Sequence, residues 1–224
     1  MRLAFFDLDR TVLSVNSGSR WVRREVEQGH LKKRTALRAM VWLVGYELGF
    51  AAGEEMVAQA VAHAAGTPAS ELAARTRSFF ESEVRQTYRP GALAAIATHR
   101  RAGDRLVMLT SSSNYLSELV ARDLSFDEVL CNRLEVDANG LHTGRVVGRI
   151  CFGAGKLFHA QDASARHRVA LENCSFYTDS YSDRLVLEVV GQPVAVNPDP
   201  RLKRRAGRQG WAVVDWGEPP RVAA

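Results

Sequence analysis

Two aspartates, Asp7 and Asp9, follow directly on four apolar residues in the tract Leu3-Ala4-Phe5-Phe6-Asp7-Leu8-Asp9-Arg10-Thr11. Such a run reads as a buried strand whose carboxyl end carries chemistry, because ligands of open parallel sheets gather at that end. The layout recurs downstream. A second apolar strand at 105–109 ends in Thr110, and later strands run into Asp179 and Asn197. If these strands are parallel neighbours, their polar ends meet on one edge and bring Asp7, Asp9, Asp179 and Asp183 together. Two like charges about 4 Å apart, at an effective dielectric of about 20, repel by roughly 4 kcal/mol. Carboxylates gathered in this way require a cation, and a hard divalent ion such as Mg²⁺ suits oxygen donors. Any one of the acids could instead cap a helix or turn. Their recurrence at corresponding strand ends favours a metal site.

The elements that must hold these groups follow from pattern. Residues 15–88 are helical in periodicity, rich in Ala, Leu, Arg and Glu, and closed by Arg89-Pro90-Gly91. Beyond them strands and helices alternate. Strands are expected at 105–109, 128–131, 174–178, 194–196 and 211–214, with helices at 114–122, through most of 152–171, from Ser182 and from Pro200. Segments 133–136 and 143–147 flank Asn139-Gly140, a hairpin signal. Strands alternating with helices predict an α/β fold with a doubly wound parallel sheet.

Composition sets the class. The chain has 224 residues, 46% hydrophobic and 25% charged, enough to bury a full core as an ordinary soluble protein. Cys131, Cys151 and Cys174 are odd in number and widely spaced, which suits reduced thiols rather than a disulfide framework or zinc. Asp7 comes too early for a signal peptide, and the apolar tract 36–53 holds Arg38 and Glu47, so it reads as a buried helix rather than a span. A cytoplasmic protein is expected. The net charge of +5 includes a cluster at Arg201, Lys203, Arg204, Arg205 and Arg208, and earlier groups at Arg20, Arg23, Arg24 and 32–34. Without a reading motif these predict solvated faces rather than nucleic-acid binding, although a basic protein also draws small anions. The histidines show no metalloprotease spacing with acids. Ser111 to Ser113 lack a Gly-x-Ser-x-Gly elbow, and the stretch around Lys156 lacks the residues of a Walker loop.

Taken together the tracts resemble the haloacid dehalogenase superfamily, in its phosphoserine-phosphatase-like branch. The ordered motifs are Asp7-Leu8-Asp9-Arg10-Thr11, the strand ending in Thr110 and followed by Ser111-Ser112-Ser113, the isolated Lys156, and Asp179-Ser180-Tyr181-Ser182-Asp183. Val196-Asn197-Pro198-Asp199 and Gly210-Trp211 add to the likeness. The resemblance implies a Rossmann-like catalytic core at 1–14 and 90–224, with a helical cap at 15–89 that selects substrate and excludes water. It also implies a Mg²⁺-dependent phosphomonoesterase acting on a small phosphorylated metabolite, with neither nucleic acid nor membrane as partner, as a monomer or homodimer.

The same resemblance assigns roles. Asp7 is the expected nucleophile, forming an aspartyl-phosphate, and Asp9 the general acid and then base. Two residues along an extended chain share a face, so both can address one phosphate. Thr110 and the Ser111 amide are expected to hold phosphate oxygens at a helix N-terminus, with one of the following serines capping that helix. Lys156 neutralises phosphoryl charge. Asp179 is expected to ligate Mg²⁺ together with Asp7 and the Asp9 carbonyl, and Asp183 to orient Lys156 or a metal-bound water.

Departures bear on the substrate. Members acting on phosphoserine carry a glutamate soon after the first motif, whereas here Ser14-Val15-Asn16-Ser17-Gly18 follows and Glu25 is the first acid. Arg10 replaces a small residue and is a candidate to contact the leaving group or to point to solvent. Arg20, Arg23 and Arg24 are cap candidates for an anionic substrate, and Met40, Trp42, Leu43, Tyr46 and Phe50 an apolar packing face. Alternatives are a histidinol-phosphate or other amino-alcohol phosphatase, a phosphotransferase that competing acceptors would reveal, and a non-catalytic phospho-ligand binder, against which both aspartates argue.

Overall fold

A computed structural model describes residues 2–31 and 53–219. The basic group 32–34, the face formed by Met40, Trp42, Leu43, Tyr46 and Phe50, and the tract 36–53 apart from Gly53 lie outside the described residues. The chain forms β1 (Leu3–Phe6), α1 (Ser17–Glu27), α2 (Gly53–Ala62), α3 (Ala69–Phe79) and α4 (Pro90–Arg101). Next come β2 (Arg105–Ser113), α5 (Asn114–Asp123), β3 (Glu128–Asn132), and a hairpin of β4 (Leu134–Val136) and β5 (His142–Val146). The remainder is α6 (Ala154–His167), β6 (Ser175–Thr178), α7 (Arg184–Leu187), β7 (Gln192–Val196), α8 (Pro200–Gln209) and β8 (Ala212–Val214).

Six strands form one sheet in the order β3-β2-β1-β6-β7-β8, with every neighbouring pair parallel. From β1 the chain winds outward to β2 and β3, then recrosses to β6 on the other side and continues to β7 and β8. The reversal places the switch point at the carboxyl end of β1, where a doubly wound sheet opens its crevice.

The apolar run of β1 is fully buried because both of its faces meet protein. Ala4 and Phe6 face one core with Leu106, Met108, Ile96 of α4 and Val120 of α5. Leu3 and Phe5 face the other with Val107, Leu109, Phe176, Ala160 of α6 and Leu202 of α8. The side-chain period of two thus divides a single strand between two cores.

Helix starts follow ordinary capping chemistry. Asn16 accepts the Ser19 amide at 2.8 Å ahead of α1. Asp199 accepts the Arg201 and Leu202 amides at 2.7 and 2.8 Å ahead of α8, whose first residue is proline. In the hairpin, Asp137 Oδ1 accepts the amides of Asn139 and Leu141, and Gly140 takes a φ of +78°. The excursion carrying α1, α2 and α3 leaves and rejoins the core at one root. There Leu13 bridges Tyr88, Ser14 donates to the Thr87 carbonyl, and Arg89 donates to that of Val12. Among the described residues no helix is long and apolar enough to cross a membrane, and the cysteines are unpaired.

One boundary differs from expectation in a way that matters for chemistry. β2 does not stop at Leu109 but runs through Ser113, with a register shift against β3 between Leu109 and Ser113. Asn132 of β3 holds this extension by donating to the Ser111 carbonyl at 2.7 Å.

Candidate active site

Beyond Phe6 the backbone leaves the sheet. Residues 8–12 form a single wide turn in which the Leu13 amide reaches back to the Leu8 carbonyl at 2.9 Å. Asp9 is extended and Arg10 left-handed at φ +55°. Asp7 and Asp9 therefore do not share a face through strand periodicity, as the sequence reading has it. The turn swings both onto the same cavity wall.

Lys156 reaches the site from the first turns of α6. Its approach depends on Gly153, whose φ of +51° and ψ of −116° disfavour a side chain, and on Gly155, where a Cβ would collide with the Ile150 carbonyl. The Lys156 ammonium donates to Asp7 Oδ1 at 2.8 Å and to Asp183 Oδ2 at 2.7 Å. Asp183 also accepts the Thr178 hydroxyl at 2.7 Å.

Asp7, Asp179, Asp183 and Lys156 are all buried. Burial works against the Lys156 charge, but the Asp183 and Asp7 carboxylates outweigh it and hold its pKa raised. The acids bear the opposite strain. Burial pushes Asp7 up to about 7, with Lys156 opposing and Asp183 and Asp9 reinforcing. Asp179 is held well above the carboxylate range by burial and then by the charges of Asp7 and Asp183, against the cations Arg10 and Lys156. Three buried carboxylates lie around one buried ammonium, which is bonded to two of them, Asp7 and Asp183, so the donor set carries more negative charge than that ammonium neutralises.

That imbalance is the test of whether Mg²⁺ fits, and it does. Among the described residues no group of three or more His, Cys, Asp or Glu side chains is arranged as a metal cage. Mg²⁺ needs none, since it keeps several waters and takes one or two carboxylates plus substrate oxygens. The Asp9 carboxylate is committed elsewhere. It accepts the Ser17 amide at 2.6 Å and the Ser112 hydroxyl at 3.2 Å. Burial raises its pKa, and the bonds from Ser17 and Ser112 oppose that rise.

Thr110 and Ser111 line the same cavity, but not at a helix N-terminus. The strand carries on past them and α5 begins only at Asn114. Ser113 occupies the capping position without a side-chain capping bond. The Thr110 hydroxyl instead accepts the Ser112 amide at 3.2 Å within the extended strand.

Arg20, Arg23 and Arg24 are not among the residues of the cavity wall. Arg24 binds Glu83, Ser82 and Ser78, Arg20 donates to the Glu83 carbonyl, and Arg23 pairs with Glu27 in solvent. Arg10 does line it. Asn197, at the end of β7, bonds Asp215 and the Trp216 amide and ties down the C-terminal segment rather than entering the site.

Several positioning residues escape the sequence reading. Thr11 donates to Asp179 Oδ1 at 3.2 Å and accepts the Asp179 amide at 3.0 Å, locking the β1 turn to the β6 turn. Asp199 accepts the Tyr181 amide at 2.6 Å while its own amide donates to the Asp179 carbonyl at 2.8 Å. The threonine lies inside the first motif and the aspartate inside an N-cap pattern, but only the fold joins either to Asp179. Thr11→Val should cost about 1–3 kcal/mol, because the buried Asp179 amide loses its acceptor. Urea unfolding measures this, and an unchanged midpoint would show that the amide finds another partner.

Above the edge lies a cavity of about 580 Å³. Its floor holds Asp7, Asp9, Thr110, Lys156, Asp179 and Asp183, and its roof comes from α1, α2 and α3.

A family model for haloacid dehalogenase-like hydrolases matches residues 4–188. The phosphoserine phosphatase SerB1 of Mycobacterium tuberculosis is 30% identical over 220 residues, covering 95% of this chain and 70% of its own. A histidinol-phosphatase of Neisseria meningitidis is 26% identical, covering 96% and 98% respectively. A crystal structure of a Bordetella pertussis protein of unknown function superposes with a TM-score of 0.87 at 28% identity, covering 96% of this chain and 99% of that one. A phosphoserine phosphatase captured as a phospho-aspartyl intermediate analogue gives 0.73 at 17% identity, over 97% and 94%, a likeness of fold.

Proposed function

The chain belongs to the haloacid dehalogenase-like hydrolases, and on that premise we propose that it is a Mg²⁺-dependent phosphomonoesterase working through an aspartyl-phosphate. The observation that carries this reading is the buried Asp7–Lys156–Asp183 chain at the carboxyl ends of β1 and β6. Relatives bearing the names phosphoserine phosphatase and histidinol-phosphatase support the reaction class.

In the first step Asp7 attacks phosphorus. A bond forms from its carboxylate oxygen as the bond to the leaving oxygen breaks, and Asp9 donates a proton to that oxygen. In the second, Asp9 takes a proton from water, water oxygen bonds to phosphorus, and the Asp7–phosphorus bond breaks to release inorganic phosphate. Lys156, fixed by Asp183, stays protonated and holds positive charge beside the nucleophile. Thr110 and the Ser111 amide orient the non-bridging oxygens. Ser17 and Ser112 hold the Asp9 carboxylate against the leaving-group side of the cavity. The segment 15–89 acts as the cap that shields this chemistry from water.

The Asp7 and Asp179 carboxylates and the Asp9 carbonyl would hold Mg²⁺, which would supply the charge neutralisation that a phosphate dianion needs beside these acids. Excess chelator should therefore abolish phosphate release from a generic aryl phosphate, and added Mg²⁺ should restore it. Full turnover in chelator would overturn the metal assignment.

A further inference from the structure

The roof of the cavity contrasts with its floor. Trp21 and Val22 of α1, Met56 and Ala60 of α2, and Leu72 and Phe79 of α3 line it together with the phosphate-side residues. Among the described lining residues the only acids are the floor residues Asp7, Asp9, Asp179 and Asp183, and besides Lys156 the one further fully ionised group is a cation, Arg10. His63 also lines the cavity, its ring nitrogen donating to the Gln59 carbonyl at 2.7 Å. Glu25, the first acid after Asp9, does not line the cavity and is bound to Arg75 at 3.1 Å. An ammonium on the leaving alcohol would thus meet, among the described roof residues, mostly apolar side chains together with Gln59, His63 and Thr76, and no carboxylate.

Resting on the phosphomonoesterase reading, we propose that the preferred substrate is the phosphate monoester of an uncharged, largely apolar alcohol, whose hydrocarbon part packs against Trp21, Val22, Met56 and Leu72. The cavity volume falls in the range that buries most of a drug-sized ligand, well beyond what a phosphate alone fills. An apolar roof favours such an alcohol through water release, with no directional demand. Among the described roof residues no carboxylate stands to pair with an ammonium, which disfavours amino-alcohol phosphates.

The test compares specificity constants of the full-length Mg²⁺-loaded protein for methyl, propyl and hexyl phosphate, phosphoserine, histidinol phosphate and an aryl phosphate. The expected result is a rise of about fourfold per added methylene over several methylenes, with hexyl phosphate at least about 10²-fold above both amino-alcohol phosphates. Hydrolysis of the aryl phosphate together with a flat alkyl series, or with an amino-alcohol phosphate preferred, overturns this inference and leaves the phosphomonoesterase reading intact. Failure to hydrolyse any member overturns both. A second arm uses Met56→Glu, which places a carboxylate on the roof. It should lower the specificity constant for hexyl phosphate by at least about tenfold and narrow the gap to phosphoserine. An unchanged ratio would show that α2 does not touch the leaving group, and would overturn the packing that the proposal requires.

Discussion

Asp7→Asn should lower turnover on an aryl phosphate by at least about 10⁴-fold while leaving the protein folded. The size follows from the role. A carboxylate that forms the covalent bond has no substitute in an amide, and removal of a nucleophile from a site acting as a unit costs about this much or more. Expressed as transition-state stabilisation, 10⁴-fold is about 5 kcal/mol. The structure explains why folding should be spared. The backbone amide of residue 7 donates to the Tyr177 carbonyl at 2.9 Å whatever its side chain, and an asparagine oxygen can still accept from Lys156. The substitution also removes a carboxylate that burial already pushes up to about 7, so loss of its attraction to Lys156 is offset by loss of a desolvated charge. The check pairs phosphate release with a thermal unfolding curve and with acid-quenched protein assayed for acyl phosphate. Near-normal turnover, or an acyl phosphate formed on the variant, would remove Asp7 as nucleophile.

How much of this was legible in the sequence depends on the range of the interaction. β1 was legible because Leu3, Ala4, Phe5 and Phe6 are all apolar and the acids begin at once, which is what a strand buried on both faces and open at one end must look like. The parallel order followed from alternation of strands and helices. Local chemistry could not tell where β2 ends, since Thr110 to Ser113 suit a cap as well as a strand. A long-range bond from Asn132 to the Ser111 carbonyl goes with the extended form. The wide turn after Asp7 was hidden for a related reason, because its left-handed residue is Arg10, not a glycine that would have announced it. Lys156 was visible only through family resemblance. As a lone lysine it carries no local signal, and its burial between Asp7 and Asp183 bridges 149 and 27 residues of chain. Thr11, Ser17 and Ser112 show the same limit, since each acts on an acid that only the fold brings near.

Lys156→Met should be the most disruptive single change, because it acts on stability and chemistry at once. It strips the buried ammonium from contact with Asp7 and Asp183, and breaking a buried pair by removing one partner costs about 3–5 kcal/mol. Asp7, which burial already pushes up to about 7, is then driven to take up a proton, since the cation that opposed burial is gone. A loss of activity could therefore reflect only a misshapen or protonated site. The double variant Lys156→Met with Asp183→Asn separates the two effects. Replacing the second carboxylate by an amide relieves the uncompensated charge, and the amide oxygen can still accept from the Thr178 hydroxyl that now bonds Asp183 at 2.7 Å. Much of the lost stability should return, read by urea unfolding without substrate. Turnover should stay down by at least about 10²-fold, the loss expected when a preorganised charge facing the transition state is removed. If turnover recovers along with stability, Lys156 serves only to neutralise Asp183. If stability recovers and turnover does not, the ammonium acts on the phosphoryl group itself, and Asp183 is there to hold it beside Asp7.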